Sequence, residues 1–222
     1  MQQKMTRRTV VRTTAVVGAA AALGPVLSAT ATAAPGTGAG TGAATAALAG
    51  TRKPKRPATT ANGWTIQTNV DRDSQVWTRS VSGTGLDVPL WIGDVETVLL
   101  HVVRRFHYEV EELHTGDLVG WRPAKEVRRR HPESNLASGT AVRIRPGIGA
   151  TQGSLFPLQL DTVRAILAEC DGVVRWGGDD KPVDESLFYI AVGPLDTRLA
   201  DLAARIREWN ATPGQGAGVT AG

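Results

Sequence analysis

The sequence predicts an α+β fold, a small mixed or antiparallel sheet with about three helices. Three observations carry that expectation. Apolar residues recur at helical spacing in three separate stretches. Short alternating stretches lie between them. The two kinds of element do not follow one another as regular βαβ units, so a parallel doubly wound sheet is not expected.

Gln75–Arg79 and Leu86–Ile92 alternate apolar and polar residues, and Ser82-Gly83-Thr84-Gly85 separates them as a turn. Asp94 is placed to cap a helix, since Val95, Val98, Leu99, Val102, Val103 and Phe106 then share one face. Tyr108–Leu113 alternates and is predicted as a strand. It turns at Thr115-Gly116-Asp117 into a strand over Leu118–Trp121. Gly139–Ile144 reads as another strand. Pro157 opens a second helix, with Leu160, Val163, Ile166, Leu167 and Cys170 along its buried line, and Gly172 ends it. Val173–Trp176 and Leu187–Val192 are short strands. Leu195, Leu199, Leu202, Ile206 and Trp209 set the face of a third helix.

The folded part is expected over residues 62–211, one domain's worth of chain. Residues 1–33 read as an export signal. Thr6-Arg7-Arg8-Thr9-Val10-Val11-Arg12 resembles a twin-arginine motif, and Thr13–Leu27 is a short, weakly apolar run. Ala29-Thr30-Ala31 and Ala31-Thr32-Ala33 offer small-residue cleavage sites. The apolar run is too short to span a bilayer, and no later segment is predicted to span one. The expected destination is outside the cytoplasmic membrane or at the cell wall, reached through the twin-arginine machinery. Residues 34–61 are rich in Ala, Gly, Thr and Pro and end in a basic cluster, so a disordered linker is expected there. Residues 212–222 read as a loose tail.

The formal net charge of +4 suggests a nucleic-acid partner only until the charges are located. Eight of the 25 basic residues lie in residues 1–61, with no acid among them. Seventeen therefore face all 21 acids from Asn62 onward, a net −4. The domain is mildly acidic, and no nucleic-acid partner is expected. The single cysteine, Cys170, excludes an internal disulfide and a multi-cysteine metal site.

Three segments stand out inside the domain. Ser134-Asn135-Leu136-Ala137-Ser138-Gly139-Thr140-Ala141-Val142-Arg143 is one. Gly120-Trp121-Arg122-Pro123 precedes it. Trp176-Gly177-Gly178-Asp179, then Asp184-Glu185-Ser186-Leu187-Phe188, follow. In that order they resemble the zinc D-alanyl-D-alanine peptidases, the family of vancomycin-resistance D,D-carboxypeptidases and D,D-dipeptidases and of some phage endolysins. The family motif is Ser-x-His-x-x-Gly-x-Ala-x-Asp, and Ser134, Gly139 and Ala141 match its scaffold. Its zinc-binding His and Asp positions hold Leu136 and Arg143, and the third ligand position holds Leu187. Arg122 matches a substrate-facing arginine. Asp184 matches the general base, which without a metal would be vestigial, and Phe188 matches an aromatic.

The resemblance covers roughly Asp94 to Ile190 and implies the hedgehog-type metallopeptidase fold. It does not carry the cofactor across. A catalytic zinc needs about three N, O or S ligands and a bound water. Leucine offers no lone pair, and arginine would repel a dication. Arg143 is instead expected to fill the metal's place and pair with Asp184. Among the histidines, His101 is expected half-exposed, off the apolar line of its helix, and His107 and His114 flank a strand. His131, with Glu133 nearby, is the one placed to swing toward Leu136. Cys170 on an apolar helix face reads as a buried structural thiol. Ser134 and Ser138 lack a nucleophile elbow. Asp179, Asp180, Asp184 and Glu185 read as a solvated acidic loop.

Three functions remain open. The first is a non-catalytic binder of cell-wall peptide or another small anion, with Arg122 and Arg143 holding a carboxylate, Ser134 donating a hydrogen bond and Trp176 lining the groove. The second is an active zinc D,D-carboxypeptidase acting on peptidoglycan with substituted ligands. The third is a structural or partner-binding exported domain. The three lost ligand positions weigh against the second.

Overall fold

The structure, a computed structural model, describes residues 57–212. The signal and most of the linker expected over residues 1–61, and nearly all of the tail, lie outside the described residues. The fold is α+β, with two small antiparallel sheets, three α-helices and two short 3-10 helices. Among the described residues no helix is long and apolar enough to cross a membrane.

The hairpin of β1 (Val76–Val81) and β2 (Leu86–Trp91) forms as the alternation predicts, pairing Val81 with Leu86 across the turn. Leu86, Val88 and Leu90 bury one face of β2. Helix α1 (Asp94–Glu109) buries the six residues of its predicted apolar line. Its start differs from expectation. Gly93, at φ 91°, is the N-cap, and Asp94 is the first helical residue. The Asp94 carboxylate instead accepts a hydrogen bond from Arg207 at 2.6 Å.

The strand expected over Tyr108–Leu113 does not form. No helix breaker precedes Val110, and Arg105 clasps Glu109 one turn on, with Nη2 donating to Oε2 at 2.7 Å. The helix therefore runs on, leaving Tyr108 exposed on its outer face.

His101 is also corrected, since it is 5% exposed rather than half-exposed. Helix α3 (Thr197–Ala211) packs along α1 and brings Trp209 to 5.9 Å from the imidazole. Burial, then the charges of Arg105 and Arg104, push its pKa down to about 4. A base whose folded pKa is depressed stabilises the fold above its unfolded value and loses that contribution as pH falls. Between pH 7.5 and pH 5 the expected loss is about 2 kcal/mol. His101→Gln should flatten this limb in denaturant titrations at the two pH values. An identical pH slope in parent and variant would mean that the imidazole is not buried as described.

The second sheet has the order β3 (Leu118–Val119), β4 (Ala141–Ile144), β6 (Leu187–Ile190), β5 (Val174–Trp176), all antiparallel. Strand alternation divides its faces. Val142, Ile144, Phe188, Ile190, Val174 and Trp176 join the main core with α1 and with α2 (Pro157–Glu169). Helix α2 buries Val163 and Ile166, with Cys170 buried just beyond it. Helix α3 starts at Thr197, capped by Asp196 accepting from the Arg198 amide. Leu195, expected on its apolar face, is 95% exposed before that cap.

The domain begins upstream of residue 62. Thr59 bridges to Thr65, and Thr60 is buried. The Asn62 side-chain amide donates to Thr140 Oγ1 and to the Ile190 carbonyl, both at 2.8 Å. Composition reads Pro57–Ala61 as linker, but these backbone and side-chain bonds make it part of the fold.

Candidate functional site

The outer face of the second sheet carries Ala141, Arg143, Leu187 and Tyr189, because these residues alternate with the core-facing ones. Register sets Arg143 directly opposite Leu187. The first short helix, Pro132–Ser138, lies over this face and buries Leu136 against Ala141, Leu187 and Tyr189. The helix ends at Gly139, whose φ is 73°. A Cβ there would stand 2.6 Å from Val76 Cγ2 and 2.9 Å from the Trp91 amide. Both the left-handed backbone and the contact with the hairpin require glycine.

The three positions that the sequence aligns with metal ligands are thus gathered, from a helix and two strands. Leu136 and Leu187 are 1% and 2% exposed. Arg143 turns its guanidinium to the edge of their cluster. Its Nη2 lies 2.9 Å from Asp184 Oδ2 and 3.2 Å from Glu133 Oε1. The Arg143–Asp184 contact is the one the sequence leads one to expect. Glu133 is the addition that sequence reasoning missed. It also accepts from Arg128 Nε at 2.5 Å, and Asp184 accepts from the Ser186 hydroxyl. Two cations and two carboxylates therefore balance. Burial would raise the Glu133 carboxyl, but the Arg128 hydrogen bond and the charges of Arg143 and Arg128 outweigh it and hold the carboxyl below its ordinary value.

A zinc ion does not fit this arrangement. Two of the positions are leucines without lone pairs, and the third is a cation already spent on two carboxylates. The cleft beside them, walled by Arg128, Glu133, Lys181, Asp184 and Leu187, encloses about 10 Å³. That is room for about one water at most.

The other predicted site residues do not converge here. Arg122 lies nearest, since its amide donates to the Leu136 carbonyl at 3.3 Å. Its side chain is exposed and has no ion-pair partner among the described residues. Ser134 is buried and accepts from the Ala61 amide at 3.0 Å, tying down the leading segment. Trp176 is a core residue, 3% exposed. Its Nε1 donates to the Glu185 carbonyl at 2.7 Å, and its ring stacks on Phe188. Its parity with Val174 along β5 was the available signal.

The acidic run is not a free loop. Asp179 takes a bidentate pair from Arg164, Asp180 accepts from Tyr189 and Arg175, and Glu185 accepts from the Gly153 and Ser154 amides. The histidines stay apart. His107 Nδ1 accepts from the Leu113 amide at 3.0 Å, His114 is exposed, and His131 caps the short helix. Among the described residues no three His, Cys, Asp or Glu gather as a metal site. Burial, then the Glu169 charge, push the Cys170 thiol up to about 12, so it stays protonated at neutral pH and is no nucleophile.

Fold and site together define a class, an α+β domain whose central polar feature is an arginine–carboxylate cluster on the outer face of its four-stranded sheet. Compared with known proteins, the chain matches no family model, no curated protein and no solved structure.

Proposed function

We propose that this chain is an exported, non-catalytic counterpart of the zinc D-alanyl-D-alanine peptidases, of hedgehog-type fold, that binds cell-wall peptide or a similar small anion. The observation that carries the reading is the convergence of Leu136, Arg143 and Leu187, with Asp184 beside them. Four residues spread over about fifty positions meet, and they are the ones to which the resemblance gives the metal and the base. A cation stands in for a cation, which explains why Asp184 is kept without a metal to serve. In this reading Arg143 is structural, and the ligand's carboxylate goes to the free guanidinium of Arg122.

Two measurements test it. The purified protein should carry no stoichiometric zinc and release no D-alanine from stem peptide. Peptidoglycan stripped of its anionic polymers should retain the protein, and Arg122→Ala should weaken that retention by about tenfold. Stoichiometric zinc with chelator-sensitive release of D-alanine would favour the active carboxypeptidase. Absence of retention in both proteins would leave a structural or partner-binding domain.

A further inference from the structure

A second feature adjoins the short helix at Ser134 and Ala137. The leading segment, Ala58–Ile66, runs beside the loop Ala124–Ser134, and a groove of about 400 Å³ opens between them. Its floor is aliphatic, with Ala58, Ile66, Val127 and Ala137, and Arg129 and Arg130 stand on its wall. Both arginines are exposed. Unlike Arg128, which is spent on Glu133, neither has an ion-pair partner among the described residues. Lys125, on the same loop, is exposed and equally unpaired.

The charge of this loop runs against that of the domain. From Asn62 onward the domain is net acidic, yet within this loop Lys125, Arg128, Arg129 and Arg130 outnumber Glu126 and Glu133, a net +2. A basic run is thus set into one loop of an acidic domain. Such segregation creates a local positive field that a balanced surface would not have.

The geometry points to a docking surface for a linear phosphodiester polymer of the cell wall. Unpaired guanidiniums match phosphate oxygens, and successive cations suit a repeating anion. The aliphatic floor accepts a saturated polyol or sugar backbone. No aromatic ring lines the groove, so it lacks the platform on which single-stranded nucleic acid stacks its bases. The export reading bears only on where the polymer would be met, and binding in solution tests the surface independently of it.

The test is binding of the full chain to purified linear poly(glycerol phosphate), followed by fluorescence anisotropy over a salt series. Arg129→Gln combined with Arg130→Asn removes the two wall cations; asparagine suits position 130, where φ is 64°. The double variant should bind about tenfold more weakly at low salt, with a salt slope lower by about two. Arg207→Gln, removing a cation from α3, should leave binding within about twofold, a difference too small for a lost direct contact. No binding by the parent, equal loss in the Arg207 control, or an unchanged affinity in the double variant would each overturn the proposal. So would tighter binding to single-stranded DNA of equal charge or to phosphatidylglycerol vesicles.

Discussion

Arg143→Ala is expected to lower the unfolding free energy by about 3 kcal/mol at neutral pH, the range for breaking a buried ion pair from one side. In melting temperature that is a fall of roughly 6–12 °C for a domain of this size. The magnitude follows from what is left behind. The Asp184 and Glu133 side chains are 11% and 12% exposed. Glu133 keeps Arg128 after the substitution. Asp184 keeps only the Ser186 hydroxyl, and a buried carboxylate without a cation is the costly case. The Arg79–Glu96 pair, at 39% and 24% exposure, shows the contrast. Cutting it should cost well under 1 kcal/mol, as for other solvent-screened pairs. Arg143→Met combined with Asp184→Asn should recover more than half of the loss, giving a coupling energy above about 1 kcal/mol. A loss below 1 kcal/mol with no coupling would show the cluster to be screened by water. The idea that Arg143 replaces a metal structurally would then fail.

The same variant carries a pH signature. In the intact protein the folded Glu133 carboxyl titrates below its ordinary value near 4.5. A depressed acid stabilises the fold above its unfolded pKa and loses that contribution as pH falls through the folded one. Removing Arg143 removes one of the charges that depress it. The deficit of the alanine variant should therefore be largest at neutral pH and shrink below about pH 4.5.

What the sequence discloses here depends on whether a residue's signal is local. The 3.6-residue period fixes α1 and α3 because their faces repeat over several turns. It misleads at Leu195, which keeps the spacing but precedes the Asp196 cap. Tyr108–Leu113 alternates by chance, and the Arg105–Glu109 contact carries the helix into its first two residues, to Glu109. His101 is buried by a helix about a hundred positions away, which no window around α1 contains. The Arg143–Asp184 contact is legible because an arginine at a position that the resemblance gives to an acidic ligand demands a partner. Glu133 is not, since an acid beside a basic run looks like surface charge. The motif makes Trp176 look like a groove residue, whereas its parity with Val174 places it in the core.

Converting Leu136→His, Arg143→Asp and Leu187→His together should create a zinc site, with stoichiometric uptake that the parent lacks. Register makes residues 143 and 187 direct cross-strand neighbours, with Cβ atoms typically about 5 Å apart. Leu136 already packs against Leu187 from the short helix. Two imidazoles and a carboxylate would then face one point, with Asp184 beside it. The apo variant should be severely destabilised. Two buried leucines are lost, each worth about 2 kcal/mol of burial, and unpaired imidazoles and a third carboxylate take their place. Metal reverses that loss only if the three side chains can share an ion, so folding itself reports the geometry. Zinc at about a thousand times its dissociation constant should restore roughly 4 kcal/mol. Arg143→Asp alone, which sets a third carboxylate against Asp184 and Glu133, should be destabilised and show a much smaller zinc response. Equal responses in the single and triple variants would show that positions 136 and 187 do not converge as ligands. That outcome would sink the resemblance to the zinc peptidases while leaving the Arg143 ion cluster intact, so the two ideas stand or fall separately.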